Sequence, residues 1–131
     1  MLFNDVGVLK PATMIEQQDL PAYIEQSIPE LSGICKSAQC KTPYDIARQM
    51  IRYTGDQLKA KNVNAVKNCL ALAENLYNSG SNVIKNAIEN VFVYSFSHTF
   101  FHEEKKRQNL LSMLPHSLYT VYRKQVINSH L

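Results

Sequence analysis

Tryptophan is absent from this sequence, and glycine, proline and cysteine are scarce, at four, five and three of 131 residues. With so little glycine and proline and no low-complexity stretch, an extended disordered region is not expected. No apolar run approaches the roughly 20 residues that a membrane-spanning helix needs. The opening MLFNDVGVLKPATM lacks both the basic start and the continuous apolar run of a signal peptide. We therefore expect a cytoplasmic protein without a membrane segment.

Charge is modest as well, at 19% of residues with a net charge of +3. A length of 131 residues with 45% hydrophobic residues is typical of one globular domain. We predict a single domain over residues 1–131, with 1–14 as an irregular or extended segment. The basic excess lies in the second half and is weaker than in most nucleic-acid-binding domains. A nucleic-acid site is therefore a minor alternative, and its residues would be Lys105, Lys106, Arg107, Arg123 and Lys124.

The three cysteines do not form a recognisable metal or disulfide framework. Cys69 falls in an apolar helical stripe, where a thiol behaves as a small hydrophobic group. Cys35 and Cys40 bracket KSAQ in a predicted loop. A disulfide between these two residues is an alternative to two free thiols. A second ligand pair at matching spacing is missing, so a zinc motif is not indicated. We expect free thiols in a reducing compartment.

Helix-start signals are clear in the first half of the chain. Asp19 stands at a cap position before Pro21, which predicts a short helix over 20–28. Thr42, Pro43 and Asp45 form a capping pattern that predicts a helix beginning at 43. We interpret Gly55 within that helix as a tolerated glycine, and the alternative is a bend or a close helix crossing at this position.

Two further helices follow on hydrophobic spacing. The first has one apolar side and ends at Gly80, which is expected to take a left-handed conformation; that side comprises Val63, Val66, Cys69, Leu70, Ala73, Leu76 and Tyr77. The second begins at a Ser81 cap and is apolar nearly all round, so we predict a central helix over about 81–102. The rest of the chain is predicted to be helical, with an interruption at Pro115. This proline either kinks one helix or separates a helix over 104–113 from another that starts at 115.

The segment SHTFFHEE raises the question of a metal site. On a regular helix His98 and His102 lie about 40° apart and continue the face of Ile84 and Ile88. Convergent histidines and carboxylates on helices do bind metals, and Glu103 is the nearest third ligand. No H-E-x-x-H order or second E-x-x-H is present. We favour structural histidines and keep a metal-binding or catalytic bundle as the alternative.

Catalytic motifs are not recognisable elsewhere. There is no G-x-S-x-G elbow and no glycine-rich phosphate loop, and the carboxylates are few and scattered. We expect a protein that is not an enzyme and that has no cofactor. The seven tyrosines point instead to partner binding, since Tyr and Arg are enriched at interfaces. The candidate residues are Tyr119, Tyr122 and Arg123, with Tyr94 and Phe101 nearby.

About half of the chain carries a family resemblance. The stretches NCLALAENLYNSGSNVIKNAIENVFVYSF and LLSMLPHSLYTVYRKQ combine a helix that ends at Gly80, a V-x-x-N-A-I helix at 83–88, and an L-P-x-x-L-Y-x-x-Y helix at 114–122. This pattern resembles a family of small, uncharacterised bacterial all-helical proteins. The resemblance implies HEAT-type helical hairpins and, for some members, neutralisation of bacterial toxins by binding.

We therefore predict an all-α fold of about five helices, arranged as antiparallel hairpins around the central helix. The predicted function is a non-enzymatic protein-interaction module with an unknown protein partner. A subunit that forms homo-oligomers is an alternative that the sequence does not separate from it.

Overall fold

The computed structural model describes residues 14–31, 33 and 42–129. Within these ranges it contains helices and no β-strand, so the predicted all-α class is confirmed. The six helices are α1 (Leu20–Ser27), α2 (Pro43–Lys59), α3 (Val63–Ser79), α4 (82–100), α5 (Glu104–Met113) and α6 (His116–Ser129). The sixth arises because Pro115 separates α5 from α6.

Two of the sequence predictions concern residues that are not described. The predicted irregular segment 1–14 lies outside the described residues except for Met14. The loop predicted over 32–41, with Cys35 and Cys40, also lies outside them except for Gly33.

Short turns flank α1, and its capping differs from the prediction. One turn of 3₁₀-helix covers Gln17–Asp19 and another covers Pro29–Leu31. The Asp19 carboxylate accepts the backbone N–H of Glu16 at 3.2 Å and makes no capping bond to α1. Asp19 is the residue before α1, as predicted, but its side chain does not cap the helix because the preceding turn already uses its carboxylate.

Helix α2 begins as its sequence predicts. The Thr42 hydroxyl accepts the Asp45 N–H at 3.2 Å, and the Asp45 carboxylate accepts the Thr42 N–H at 3.2 Å. This reciprocal pair satisfies two of the N–H groups that every helix start leaves unpaired. Gly55, in contrast, is more than a tolerated glycine. A Cβ there would lie 3.2 Å from Cζ of Phe100, so Gly55 allows α4 to pack closely on α2.

The turn between α2 and α3 uses lysine where glycine is usual. Lys61 has φ of 60° and is the only described residue other than glycine with a positive φ. Its N–H donates to the Leu58 carbonyl at 3.1 Å, and the Asn62 N–H donates to the Gln57 carbonyl at 2.9 Å. This pair of bonds is the Schellman arrangement that closes helix ends. Asn62 then caps α3 by accepting the Ala65 N–H at 3.4 Å.

Helix α3 buries the predicted stripe from Val66 to Leu76 and also Leu72. Val63, predicted for that stripe, is 51% exposed because it is the first residue of the helix. The helix ends at Gly80, which is extended, with φ of −81° and ψ of 161°. The expected left-handed conformation is therefore wrong. Glycine is required there by close approach, since a Cβ would lie 2.5 Å from Cγ2 of Ile84.

Ile15 forms an isolated β-bridge with Gly80, in the connection between α3 and α4. Its N–H donates to the Ser79 carbonyl at 2.8 Å, and its carbonyl accepts the Ser81 N–H at 2.9 Å. The N-terminal part of the described chain is thus fastened to the end of α3. Ser81 precedes α4 as predicted but makes no side-chain capping bond.

Helix α4 is central, and it contains a π-helical segment. It packs against α2, α3 and α6. It runs as α-helix over Asn82–Ala87, as π-helix over Ile88–Val93 and as α-helix again over Tyr94–Phe100. A π turn holds more residues than an α turn and rotates everything that follows it. Four large side chains at a spacing of four, Ile84, Ile88, Phe92 and Phe96, are accordingly all buried, with at most 2% of each exposed.

The core includes one buried polar contact between α2 and α3. Thr54 is completely buried, and its hydroxyl lies 2.8 Å from the Met50 carbonyl and 3.2 Å from Sγ of Cys69. Burial raises the pKa of the Cys69 thiol to about 11, although the Thr54 hydroxyl lowers it in part. Cys69 therefore stays a neutral thiol at physiological pH.

Among the described helices, none combines the length and the apolar character that a bilayer crossing needs.

Candidate interaction surface

Helix α6 is held in place by polar groups of α3. The Glu74 carboxylate accepts the backbone N–H groups of Ser117 at 3.1 Å and Leu118 at 3.2 Å. The Ser117 hydroxyl donates to the Asn78 side-chain oxygen at 2.9 Å. A carboxylate at a helix N-terminus satisfies unpaired N–H groups and interacts favourably with the helix dipole. Glu74 and Asn78 lie outside the apolar side predicted for this helix, and their role was missed because their partners lie about 40 residues away in the chain.

A second attachment lies at the π segment. The Gln125 amide donates to the Glu89 carbonyl at 2.7 Å, within Ile88–Val93. A π turn disturbs the regular ladder of backbone bonds, and side chains often supply a partner at such points. The Gln125 amide oxygen is buried and has no partner among the described residues. The middle of α6 is thus fixed to α4 at the point where α4 changes its winding.

Aromatic rings run from the core out to the surface of α6. Phe92 and Phe96 are buried, and the Phe96 ring meets Phe101 edge to face at 5.6 Å between centroids. Phe101 meets Tyr122 in the same way at 5.3 Å, and Tyr122 lies 6.5 Å from Tyr119. Edge-to-face pairs at these distances are favourable beyond the area that they bury. Tyr119 is therefore an exposed ring that contacts the end of this packed row.

The solvent-facing stripe of α6 is the candidate surface. Tyr119, Arg123 and Ile127 are spaced four residues apart, so they follow one another along one side of the helix. Tyr119 is 39% and Ile127 is 56% exposed, and Arg123 is exposed as well. We call these three residues the α6 outer face. The sequence prediction named Tyr119, Tyr122 and Arg123. Tyr122 is half-buried, and Ile127 was missed although its i+8 spacing from Tyr119 signals it.

The charge of this surface has one sign. From 116 to 129, α6 carries Arg123 and Lys124 and no acidic residue. Neither of these cations has an ion-pair partner in the part of the chain that the structure describes. In α5, by contrast, Lys106 lies 3.1 Å from Glu103, and Arg107 pairs with Glu104. The hydrogen bond from Arg107 lowers the pKa of Glu104. Two of the five basic residues considered for nucleic acid therefore face carboxylates.

The candidate metal ligands His98, His102 and Glu103 do not share a helix face. α4 ends at Phe100, so His98 lies on the helix, whereas His102 and Glu103 lie in the turn before α5. The His98 ring stacks on Tyr94 at 3.9 Å, and its Nδ1 lies 2.9 Å from the Tyr94 carbonyl. The predicted shared face is wrong, because the π segment rotates the helix and α4 stops before residue 102.

Both histidines are exposed instead of continuing the core face. Within residues 14–31, 33 and 42–129, no three His, Cys, Asp or Glu side chains are grouped so that they could hold a metal ion. Tyr94, which the sequence associated with the aromatic patch, is 49% exposed and contacts His98.

Comparison with known proteins adds a family but no activity. Residues 21–128 match the family model described as Domain of unknown function (DUF7674). The chain belongs to the DUF7674 family. The match extends over α1 to α6 almost completely and so includes the α6 outer face. No curated protein and no solved structure matches the chain. The sequence resemblance to an uncharacterised family is therefore correct at that level.

Proposed function

We propose that this DUF7674 protein is a non-enzymatic interaction module that binds an acidic protein partner through the α6 outer face. The observation that carries the proposal is the exposed stripe of Tyr119, Arg123 and Ile127 on a helix that is fixed at two points. A rigid helix that presents an aromatic, a cationic and an aliphatic side chain loses little conformational entropy on binding. Tyr and Arg are also the residue types that most often dominate binding energy at interfaces.

Charge supports a partner of a different kind over a second copy of this chain. Two α6 outer faces packed against each other would bring cationic helices together without a compensating carboxylate on either. Like charges across an interface are unfavourable, whereas an acidic surface is complementary and speeds association. The proposed partner therefore offers an apolar groove with carboxylates at its rim. Homo-oligomer formation through this face is the competing outcome.

The finer features of the sequence resemblance belong to the same proposal. A bacterial toxin-neutralising protein acts by burying a patch of its target, and it needs no catalytic residues of its own. A cytoplasmic setting is consistent with Cys69, which is a buried free thiol. A HEAT-type arrangement is supported by the short connections between successive helices, such as the one from α2 to α3 at 60–62.

The proposal is tested with a triple variant, Tyr119→Ala, Arg123→Ala and Ile127→Ala. All three side chains are exposed, so we expect the fold to be retained, which circular dichroism checks. Tyr122 is left intact because its ring packs on Phe101. The tagged protein is recovered gently from its own cells and its companion is identified by native mass spectrometry. Binding of the purified companion is then measured for each variant.

We expect an acidic companion at a fixed stoichiometry and an affinity that falls at least about tenfold in the triple variant, or about 1.4 kcal/mol. The matched control is Lys67→Ala with Asn75→Ala, which alters exposed residues of α3 and should bind normally. Equal binding by the triple variant would remove the α6 outer face as the site. A companion that proves to be the chain itself, or no companion at all, would contradict the proposal.

A further inference from the structure

A polar cleft of about 250 Å³ lies between the 3₁₀ turn after α1 and the α2–α3 hairpin. Its hydrogen-bonding side chains come from four places in the chain: Ser27 from the end of α1, Glu30 from the turn, Tyr53 from α2, and Asn62, Asn64 and Asn68 from the start of α3. This volume is below the roughly 300–1,000 Å³ of pockets for drug-sized molecules. The cleft therefore fits a ligand about as large as a monosaccharide. It shares no residue with the α6 outer face.

Several polar groups in the cleft have unused hydrogen-bonding capacity. Asn64 and Asn68 are one helical turn apart and exposed, and neither amide is bonded to another described residue. Asn62 uses its oxygen to cap α3, which leaves its two N–H donors for another partner. The Tyr53 hydroxyl donates to Glu30 at 3.4 Å, well beyond the usual 2.7–2.8 Å or so for such a bond. A third group can therefore bond to both of these side chains.

The charge of the cleft disfavours an anionic ligand. Burial raises the pKa of the Tyr53 phenol, and the nearby Glu30 carboxylate raises it further, so the hydroxyl stays protonated. No lysine, arginine or histidine is among the described residues that line the cleft. Phosphates and carboxylates would thus meet a carboxylate without a compensating cation. Amides and a carboxylate together offer the mixed donors and acceptors that hydroxyl groups match.

We propose that this cleft binds a neutral, hydroxyl-rich small molecule of monosaccharide size. Neighbouring hydroxyls of the ligand would each exchange a donor and an acceptor with the amides of Asn64 and Asn68. A third hydroxyl would donate to the Glu30 carboxylate, and the ring of Tyr53 would supply an apolar contact. The site is independent of the proposed protein partner, since its residues lie at the end of α1, on the turn after it, on α2 and at the start of α3, and none lies on α6.

The test is an NMR titration of ¹⁵N-labelled protein with D-glucose, D-galactose and N-acetyl-D-glucosamine, each raised to tens of millimolar. Side-chain amide groups give their own signals, so Asn62, Asn64 and Asn68 report directly. We expect at least one of the three sugars to shift these signals saturably. In the double variant Asn64→Ala with Asn68→Ala, the affinity should fall at least tenfold. Alanine favours helix more than asparagine does, so this variant should fold.

The matched control is Asn75→Ala, an exposed asparagine of α3 that does not line the cleft, and its affinity should be unchanged. A parallel titration with n-propylammonium chloride tests whether Glu30 instead selects a cation. The proposal is overturned if none of the three sugars gives a saturable shift. It is also overturned if the double variant binds as tightly as the wild type, or if only the ammonium ion binds.

Discussion

The thiol of Cys69 is enclosed between α2 and α3, and its surroundings affect the whole stability of the chain. Its pKa is raised to about 11 by burial, whereas an exposed thiol ionises near roughly 8.5. The folded state therefore holds the proton more tightly than the unfolded state. The contribution to stability is complete below the unfolded pKa and is lost as the pH rises through the folded pKa.

We expect this linkage to lower the free energy of unfolding by about 2 kcal/mol between pH 8 and pH 10.5. The measurement is urea unfolding at both pH values for the wild type and for Cys69→Ala. Other titrating groups are common to both proteins, so the difference between them isolates the thiol. The wild type should lose about 2 kcal/mol more than the variant. Parallel pH profiles would show that the thiol ionises freely in the folded state.

Lys61 has the left-handed backbone conformation that glycine adopts most easily. A left-handed conformation costs a residue with a Cβ roughly 1–2 kcal/mol, and glycine avoids this cost. Glycine also has more conformational freedom in the unfolded chain, and losing that freedom on folding offsets about half of its gain. Replacement Lys61→Gly should therefore raise the free energy of unfolding by about 0.5 kcal/mol. Chemical denaturation measures it, and Lys59→Gly, within the last turn of α2, is the control that should be destabilising. A loss of stability in Lys61→Gly would contradict the role of its φ.

Helix α6 depends on a group outside itself for the capping of its first turn. Two backbone N–H groups at its start donate to the Glu74 carboxylate. Removing a helix cap typically destabilises by about 0.5–2 kcal/mol. We expect Glu74→Ala to lower the free energy of unfolding by about 1–2 kcal/mol, measured by urea denaturation. Glu25→Ala, an exposed carboxylate of α1, should change it by less than about 0.5 kcal/mol.

The element scale also shows why some features could be predicted and others could not. Capping at Thr42 and the break at Pro115 are encoded within four residues, so local sequence specifies them. The position of His98 depends on the π segment before it. A prediction that assumes the about 100° per residue of a regular α-helix does not include such a segment. The cap by Glu74 joins residues that only the packing of α3 on α6 brings together. Local signals therefore predicted the helices better than the sites between them.

At the scale of the whole molecule, the buried side chains from α1 to α6 form one continuous cluster. A chain of this size with one core usually unfolds in a single cooperative transition. We expect the far-ultraviolet signal of the helices and the near-ultraviolet signal of the tyrosines to change at the same temperature. Separate transitions would indicate that α5 and α6 form a unit of their own.

Helix-start signals and hydrophobic spacing predicted the all-α class, because long amphipathic stretches at helical spacing bury their apolar side chains best when helices pack together. Of the residues predicted for partner binding, Tyr119 and Arg123 are exposed, and their role in binding stays a prediction. Tyr122 has a mainly structural role, because its ring completes the row that begins at Phe92. The cleft at Asn64 and Asn68 was not predicted. Its residues belong to separate elements, and exposed asparagines on a helix have no distinctive pattern.

The π segment of α4 has a consequence for insertions and deletions. In an ordinary buried α-helix, the removal of one residue turns every later side chain by about 100° and disrupts the core. Removing one residue between 88 and 93 would instead place Phe96 seven positions after Ile88, which is the spacing of one α-helical face. A DUF7674 protein that is one residue shorter at this point could therefore keep the same core.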